Sequence, residues 1–309
     1  MEAVGKLPEG PSFVPVEEKS EINAINKVTF KQRMKSYKNR PLSFLVLGLV
    51  SLGAILTVFV FLLLVGYIFV KGIPNINADL FAWEYNTENV SMMPAIINTV
   101  LMTGMTLIMA VPVGVFSAIY LVEYAKKGNK LVSVVRITTE TLAGIPSIVY
   151  GLFGFLMFVT AFKWSYSFIG GSLTLAIMVL PTIMRTTEEA LKAVPDSYRE
   201  GSFGLGAGKL RTVFRIILPT AIPGILAGII LSIGRIVGET AALIFTAGST
   251  ARIPENLFSS TRTLAVHMYS LLSEGLYMNQ AYATAVVLLL LVIVINFVSS
   301  AIAKKLAKR

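Results

Sequence analysis

Two opposite charges stand alone in a long apolar segment, and they are the residues of this chain best suited to bind a charged solute. Arg235 and Glu239 are the only ionisable residues between positions 216 and 248. On a continuous helix their spacing places both side chains on one face. A charge at bilayer depth costs about 2.5–3.5 kcal/mol and normally marks a solute pathway or an ion pair.

A guanidinium donates parallel hydrogen bonds to two oxygens of an oxyanion, so Arg235 predicts a path for such an anion. Glu239 and Arg185 are the other candidates for this path. Two alternatives stay open at this point. Arg235 and Glu239 can neutralise each other as a buried pair, although Arg before Glu is the weaker order on a helix. Arg185 can end its helix with its charge in water at the inner surface.

The chain offers few side chains for other chemistry. It has no Cys and only one His, His267, which excludes thiolate sites and imidazole clusters, and no metal site is predicted. Residues 204–210 (GLGAGKL) superficially resemble a phosphate-binding loop, but Phe203 and Leu210 stand where that motif needs Gly and a hydroxyl residue. We therefore expect no cofactor and no ATP bound by this chain, and a membrane-embedded enzyme is the weakest interpretation. His267 is expected at the surface of an outer loop.

The composition indicates the environment of these residues. Hydrophobic residues make up 55% of the 309 positions and charged residues only 14%, against about 45–50% and about 25% in soluble domains. Uncharged stretches long enough to cross a bilayer recur along the chain: 41–70, 95–122, 141–162, 164–184, 216–234 and 275–303. The sequence therefore predicts an all-α polytopic membrane protein with six transmembrane helices. Because the fifth stretch continues to about Gly248, we expect it to tilt, to end outside the lipid or to break near Pro223-Gly224.

The placement of Lys and Arg predicts the orientation. They concentrate at 27–40, 126–136, 185–215 and 304–309, whereas the opposite side holds Lys71, Lys163, Arg252 and Arg262. By the positive-inside rule both termini are cytoplasmic. The net charge of +10 then reflects orientation in a lipid membrane and implies no nucleic acid. Residues 1–40 are a cytoplasmic tail, 41–303 a transmembrane domain with an inner loop at about 185–218, and 304–309 a second tail.

Small residues in the fifth stretch predict close helix contacts. Gly224 and Gly228, like Gly234 and Gly238, are four residues apart, the spacing that lets two helices approach closely. Contacts with a second pore subunit and contacts within this chain are both compatible with the spacing.

The inner loop contains a capped helix. Pro195, Asp196 and Ser197 are suited to begin it, and glycines at 204, 206 and 208 are suited to end it. A simple hairpin between two membrane helices and a docking element for another protein both fit this pattern.

The spacing of Glu200-Gly201-Ser202, three residues, Gly206, nine residues and Ile216-x-Leu218-Pro219 resembles the EAA loop of MetI-like permeases from binding-protein-dependent ABC importers. Gly201 and Ser202 replace the usual alanines. In that family the short helix of the loop docks on the ATPase. The resemblance therefore implies a role in ATPase coupling for Tyr198, Arg199, Glu200, Gly201, Ser202, Gly206, Leu218 and Pro219.

Over roughly residues 40–305 the chain is similar to the A-type (PstA-type) permease family of phosphate importers. Four segments carry this likeness: 118–124 (AIYLVEY), 144–151 (GIPSIVYG), 185–188 (RTTE) and 234–242 (GRIVGETAA). The resemblance implies a transport subunit of a prokaryotic inner membrane that forms half of a phosphate pore. The implied partners are a C-type phosphate permease subunit, a dimeric ATPase and an extracytoplasmic phosphate-binding protein. A permease for another oxyanion and an ion-coupled secondary transporter without an ATPase stay as alternatives.

Overall fold

The computed structural model describes residues 41–126 and 128–307, and these form helices without strands. They divide into two units between Leu63 and Leu64, and the first helix runs from one unit into the other. The helices are α1 (Pro41–Gly72), α2 (Met93–Ile119), α3 (Lys130–Ala143), α4 (Ser147–Gly154), α5 (Phe168–Lys192), α6 (Asp196–Gly204), α7 (Lys209–Thr212), α8 (Leu218–Val237), α9 (Ala241–Thr246), α10 (Leu264–Glu274) and α11 (Met278–Ala307). Wider π-helical turns extend α2, α4 and α7 over Tyr120–Tyr124, Phe155–Ala161 and Val213–Ile217.

Five of the described helical segments are long and apolar enough to cross a membrane, which confirms the predicted fold class: Leu42–Asn75, Met93–Tyr124, Phe168–Lys192, Lys209–Val237 and Met278–Lys305. The remaining predicted span, 141–162, is bent. The chain turns by 105° near the start of this stretch, between the helices Lys130–Ala143 and Ser147–Ala161, and the bent pair counts as a sixth span at most. Pro146 lies at the bend, where it lacks an N–H for helical bonding and keeps the preceding residue out of the α conformation.

The fifth apolar stretch breaks at a different point from the predicted one. Helix α8 continues through Pro223 and ends at Val237, and α9 begins only at Ala241. The prediction of a break near Pro223-Gly224 was therefore wrong. The interruption falls instead at Gly238-Glu239-Thr240, where the Glu239 carboxylate accepts a hydrogen bond from the Ala242 amide at 3.2 Å and so caps the new helix.

Helix α5 packs against α8 through glycines. A methyl group on Gly224 would lie 2.6 Å from Ala190 Cβ, and one on Gly228 would overlap the Thr186 side chain. These distances are too short for any larger residue, so the Gly224–Gly228 pair serves contacts within this chain. Gly114 makes a similar contact between α2 and Ile183 of α5 at 2.7 Å.

Helix α6 is held in place by Arg199, which points toward the membrane domain. Its guanidinium donates to Glu123 Oε1 at 2.7 Å and to the backbone carbonyls of Leu191 and Val194 at 3.0 and 2.9 Å. The side chains of Arg199 and Glu123 are only 16% and 8% exposed. The hydrogen bond with Glu123 raises the pKa of Arg199 above its usual value, so the guanidinium stays charged. This pair fixes the inner loop to the end of α2.

Helix α10 and the segment before it contribute two buried residues, Arg262 and His267, which contact the half-buried Tyr85. Arg262 lies over the Tyr85 ring at 4.5 Å, and the His267 ring meets the edge of the same ring at 6.1 Å. His267 is completely buried, so its predicted surface position was wrong: Leu264, Val266 and Leu271 carry α10 into the core. Burial, assisted by the nearby charge of Arg262, lowers the pKa of His267 to about 3.

The buried imidazole predicts loss of stability in mild acid. Its pKa of about 3 lies below the unfolded value, so the unfolded chain binds the proton more strongly and stability falls as the pH drops below about 6.5. Between pH 7 and pH 5 this amounts to about 2 kcal/mol. His267→Phe keeps a ring against Tyr85 without titrating, so its thermal unfolding in detergent should lose this part of the pH dependence. An unchanged slope in the variant would contradict the buried neutral imidazole.

The Glu123–Arg199 pair predicts a large cost for removing one partner. Glu123→Ala leaves the largely buried guanidinium with only the exposed carboxylate of Asp196, at 3.1 Å, and should destabilise the chain by about 3 kcal/mol. A matched control is Glu189→Ala, because its pair with Arg185 is 60% and 64% exposed and such pairs contribute at most about 1 kcal/mol. Thermal unfolding together with limited proteolysis of the inner loop measures both. Equal effects of the two variants would contradict the anchoring role of Glu123.

Candidate functional site

Arg235 lies level with the middle of α5, two residues before the end of its own helix α8. Helices α5 and α8 are antiparallel, because Gly224 contacts Ala190 and Gly228 contacts Thr186. Continuing this register at 1.5 Å per residue places Arg235 level with about Val179, close to the midpoint of α5. The neighbouring residue Ile236 packs in the same buried cluster as Val179, which agrees with this level. The candidate cation is therefore far from both ends of its neighbouring span.

One side of α8 has no packing partner within the described chain. Ala227, Leu231 and Gly238 are exposed, and Gly234 and Arg235 are half-exposed. A methyl group on Gly234 would meet nothing within 4 Å, and one on Gly238 would meet only the Gly234 carbonyl at 3.7 Å. We call these five residues the open stripe of α8. The second pair of glycines therefore differs from the first, which contacts α5 at Ala190 and Thr186.

Arg235 and Glu239 do not form the predicted pair on one helical face. Glu239 lies beyond the end of α8, is 8% exposed and is engaged with the Ala242 amide. None of the ion pairs among the described residues includes Arg235 or Glu239. The prediction of a shared helical face was wrong, because the interruption at Gly238 turns the chain before Glu239. Arg235 is thus left without a carboxylate within 4 Å in the described structure.

Short helix α9 is inserted between α4 and α5 by three glycines. A methyl group on Gly151 would lie 2.8 Å from Ala242 Cα, one on Gly154 would lie 2.7 Å from Thr246 Cγ2, and one on Gly171 would lie 2.8 Å from Ala247 Cβ. The cap from Glu239 and these contacts set where α8 must stop. Segments 144–151 and 234–242, which are about 90 residues apart in the sequence, thus touch through Gly151 and Ala242, a contact that no local pattern predicts.

Arg185 lies inside α5 rather than at its end, since that helix continues to Lys192. Its side chain is 60% exposed and pairs with Glu189 at 3.1 Å. It is six residues from Val179, so it lies about 9 Å nearer the inner end than Arg235. The two arginines therefore occupy different depths, and a pathway role for Arg185 stays a prediction.

The residues predicted to contact an ATPase separate into two groups. Tyr198, Glu200, Gly201, Gly206 and Pro219 are exposed. Arg199 points inward, and the Ser202 hydroxyl is buried and bonded to Thr212 Oγ1 at 2.8 Å, while Leu218 is partly covered by a neighbouring apolar cluster. Arg199 and Ser202 therefore stabilise the loop on its buried side. Arg199 bonds to Glu123 and Ser202 bonds to Thr212, and neither partner was predicted from the sequence.

Sequence reasoning also missed the apolar side chains that the loop exposes. Phe203 is 47% exposed and Leu205 90% exposed, next to Tyr198 at 50%. Three large apolar side chains in a charged loop could have indicated a contact surface from the sequence, because exposed apolar patches mark such surfaces. We call Tyr198, Phe203 and Leu205 the apolar patch of α6. Gly206, with a φ of +79°, ends this helix in the left-handed conformation.

Known proteins similar to this chain are transport permeases. Residues 110–309 match the family model of the binding-protein-dependent transport system inner membrane component. The chain is 34% identical over 252 residues to the probable ABC transporter permease protein YqgI of Bacillus subtilis (strain 168), covering 75% of this chain and 84% of that protein. It is 35% identical over 211 residues to the phosphate transport system permease protein PstA 1 of Mycobacterium tuberculosis (strain CDC 1551 / Oshkosh), covering 67% and 69%.

Solved structures share the fold at low sequence identity. A chain of a bacterial ABC transporter involved in the import of the acidic polysaccharide alginate aligns with a TM-score of 0.62 at 15% identity, over 88% of this chain and 99% of that one. A chain of the MetNI methionine ABC transporter, in an inward-facing conformation, aligns with a TM-score of 0.54 at 20% identity, over 78% and 97%. These likenesses confirm the predicted MetI-like fold.

The family settles two of the alternatives left open by the residues alone. Its members are inner-membrane components of transport systems that depend on a binding protein, which removes the ion-coupled secondary transporter and the membrane enzyme. The chain is accordingly a multi-pass inner-membrane transport subunit, and an ATPase and a binding protein are its partners. It belongs to the binding-protein-dependent ABC importer permeases, the family that includes the PstA-type phosphate transport permeases.

Proposed function

We propose that this permease forms half of an inorganic phosphate pore and that Arg235 binds the passing anion. The observation that carries this proposal is the half-exposed guanidinium of Arg235, which belongs to the open stripe of α8, lies level with the middle of α5 and has no carboxylate within 4 Å among the described residues. A cation with no counter-ion in a low-dielectric region is costly unless an anion or water reaches it. A passing oxyanion supplies that charge.

We favour phosphate as the substrate for two reasons: several relatives are phosphate permeases, and the guanidinium of Arg235 has a geometry that suits phosphate. Relatives at 35% and 34% identity are phosphate transport system permeases. Guanidinium presents two parallel N–H bonds that match two phosphate oxygens. Permeases for other oxyanions would use the same group, so Arg235 by itself favours an oxyanion and the relatives favour phosphate among them.

The rest of the importer assembles around exposed surfaces of this chain. At its Gly234 and Gly238 end, the open stripe of α8 permits close approach by a helix of a C-type permease subunit. The rest of the stripe, including Leu231, lines the pore between the two chains. The apolar patch of α6 docks on one subunit of a dimeric ATPase. An extracytoplasmic phosphate-binding protein delivers the anion at the opposite end. This arrangement agrees with both termini lying in the cytoplasm.

Glu239 and Arg185 have subordinate roles in this proposal. Glu239 caps α9 and thereby fixes the end of α8 close to Arg235, so we assign it as a positioning residue. Arg185, exposed about 9 Å nearer the inner end, is a second cation that the anion meets on leaving.

Replacement of Arg235 tests the substrate role. Arg235→Ala should reduce phosphate uptake by roughly 30-fold or more while the complex still assembles, because the anion loses its charged partner. Arg235→Lys should restore only part of the uptake, since an ammonium lacks the two-pronged geometry. The measurement is phosphate uptake in vesicles that contain the complete importer. The control is Arg252→Ala, which removes the same charge from an exposed outer-loop position. If Arg235→Ala takes up phosphate as fast as this control, the proposal is contradicted.

Replacement of Leu205 tests the docking surface. Leu205→Asp introduces a charge into the apolar patch and should weaken ATPase association by about tenfold or more, with ATP-driven uptake lost in parallel. Leu276→Asp is matched in chemistry and in exposure, 80% against 90%, but lies before α11 at the other end of the protein. Copurification of the ATPase measures both variants. Loss of the ATPase from both, or from neither, would refute docking through the patch.

A further inference from the structure

A large open groove lies on the inner side of the chain, between the end of α2, the amphipathic helix α3 and the helix α6. Its volume is about 1120 Å³. It lies apart from the open stripe of α8 and adjoins the apolar patch of α6 only at Phe203. The proposed function assigns no role to it.

Cations without partners line one part of this groove. Lys126, Lys130 and Lys209 have no carboxylate within 4 Å among the described residues, and Lys209 lies over the Tyr124 ring at 5.2 Å. The other cations of the groove have carboxylate partners: Arg136 and Lys192 share Glu188, and Arg199 pairs with Glu123 and Asp196. Two carboxylates of the lining, Glu140 and Glu200, are also unpaired. The unpaired lysines therefore create an anion-binding potential at the start of α3.

Helix α3 presents apolar side chains next to these lysines. Leu131, Val134 and Ile137 are 63%, 61% and 61% exposed, and their three-residue spacing places them along one face. Val132 lies on the opposite face and is buried against α2 and α5. Ile137 belongs both to the exposed face and to the lining of the groove, so the apolar face is continuous with the cationic one.

The orientation of α3 suits the surface of a membrane. It meets the Ser147–Ala161 segment at 105°, so it lies nearly across that segment rather than along it. An amphipathic helix with an apolar face, a cationic margin and this orientation is typical of the lipid–water interface. Lysines just inside the cytoplasmic leaflet attract anionic lipids.

We propose that the groove binds the phosphodiester head group of an anionic phospholipid, with its acyl chains along Leu131, Val134 and Ile137. The unpaired Lys126 and Lys130 bind the phosphate oxygens. Free inorganic phosphate has the same head chemistry but does not explain the exposed apolar face beside the lysines. Filling by the ATPase would also explain the apolar face, but it would give no dependence on anionic lipid, which the test below measures. The bound lipid would brace α3 and the inner loop from the membrane side.

The test compares the complete importer in nanodiscs of phosphatidylcholine with and without phosphatidylglycerol. Native mass spectrometry should detect retained phosphatidylglycerol, and the melting temperature should rise with this lipid. Lys126→Gln combined with Lys130→Gln should weaken lipid retention roughly 30-fold and remove the rise. Both lysines are exposed and unpaired, so the fold is expected to survive. Lys304→Gln with Lys305→Gln removes the same two charges at the end of α11 and should retain the lipid.

Three outcomes would overturn the proposal. One is that both double variants retain phosphatidylglycerol equally well. Another is that inorganic phosphate in discs of phosphatidylcholine alone reproduces the rise in melting temperature, which would identify a free-anion site. The last is that a photoreactive group at position 130 cross-links the ATPase rather than phosphatidylglycerol. Because the readouts are lipid retention and melting temperature, the result is independent of phosphate transport through Arg235.

Discussion

The contact between α5 and α8 at Gly224 and Gly228 sets the depth of the charge on which the transport proposal rests. A methyl group at these glycines would overlap Ala190 or Thr186, so the close packing in this register depends on glycine at both positions. That register holds Arg235 near the midpoint of α5. Once the guanidinium is there, the absence of a carboxylate within 4 Å in the described residues makes an anion its natural partner.

The interruption after α8 explains why Arg235 stays free. On an uninterrupted helix, Glu239 would lie one turn beyond Arg235 and could neutralise it. Here the chain leaves the helix at Gly238, and the carboxylate is committed to the Ala242 amide. The close packing of α9 at Gly151 and Gly154 then stabilises the interruption. Local backbone geometry thus separates two charges that their spacing would otherwise bring together.

The features predicted from the sequence are those that depend on composition or local spacing. The length of the apolar stretches predicted the membrane spans. Pro195 and the polar residues after it predicted the start of α6. Tertiary contacts were beyond such reasoning. Nothing near His267 in the sequence indicates that α10 turns inward, and Glu123 is 76 residues from Arg199. Arg136 of α3 pairs with Glu188 of α5 at 2.6 Å, a contact between residues 52 positions apart that no local pattern indicates.

The most direct test asks whether the open stripe of α8 faces water. The chain contains no cysteine, so a single introduced thiol reports without background. In the assembled importer, Leu231→Cys should react with a membrane-impermeant maleimide, and phosphate should slow that reaction. Ile233→Cys, at a position 7% exposed, should remain unreactive. If the thiol of Leu231→Cys reacts only with lipid-soluble reagents and phosphate leaves its labelling rate unchanged, the open stripe faces lipid. That result would contradict the proposed pore.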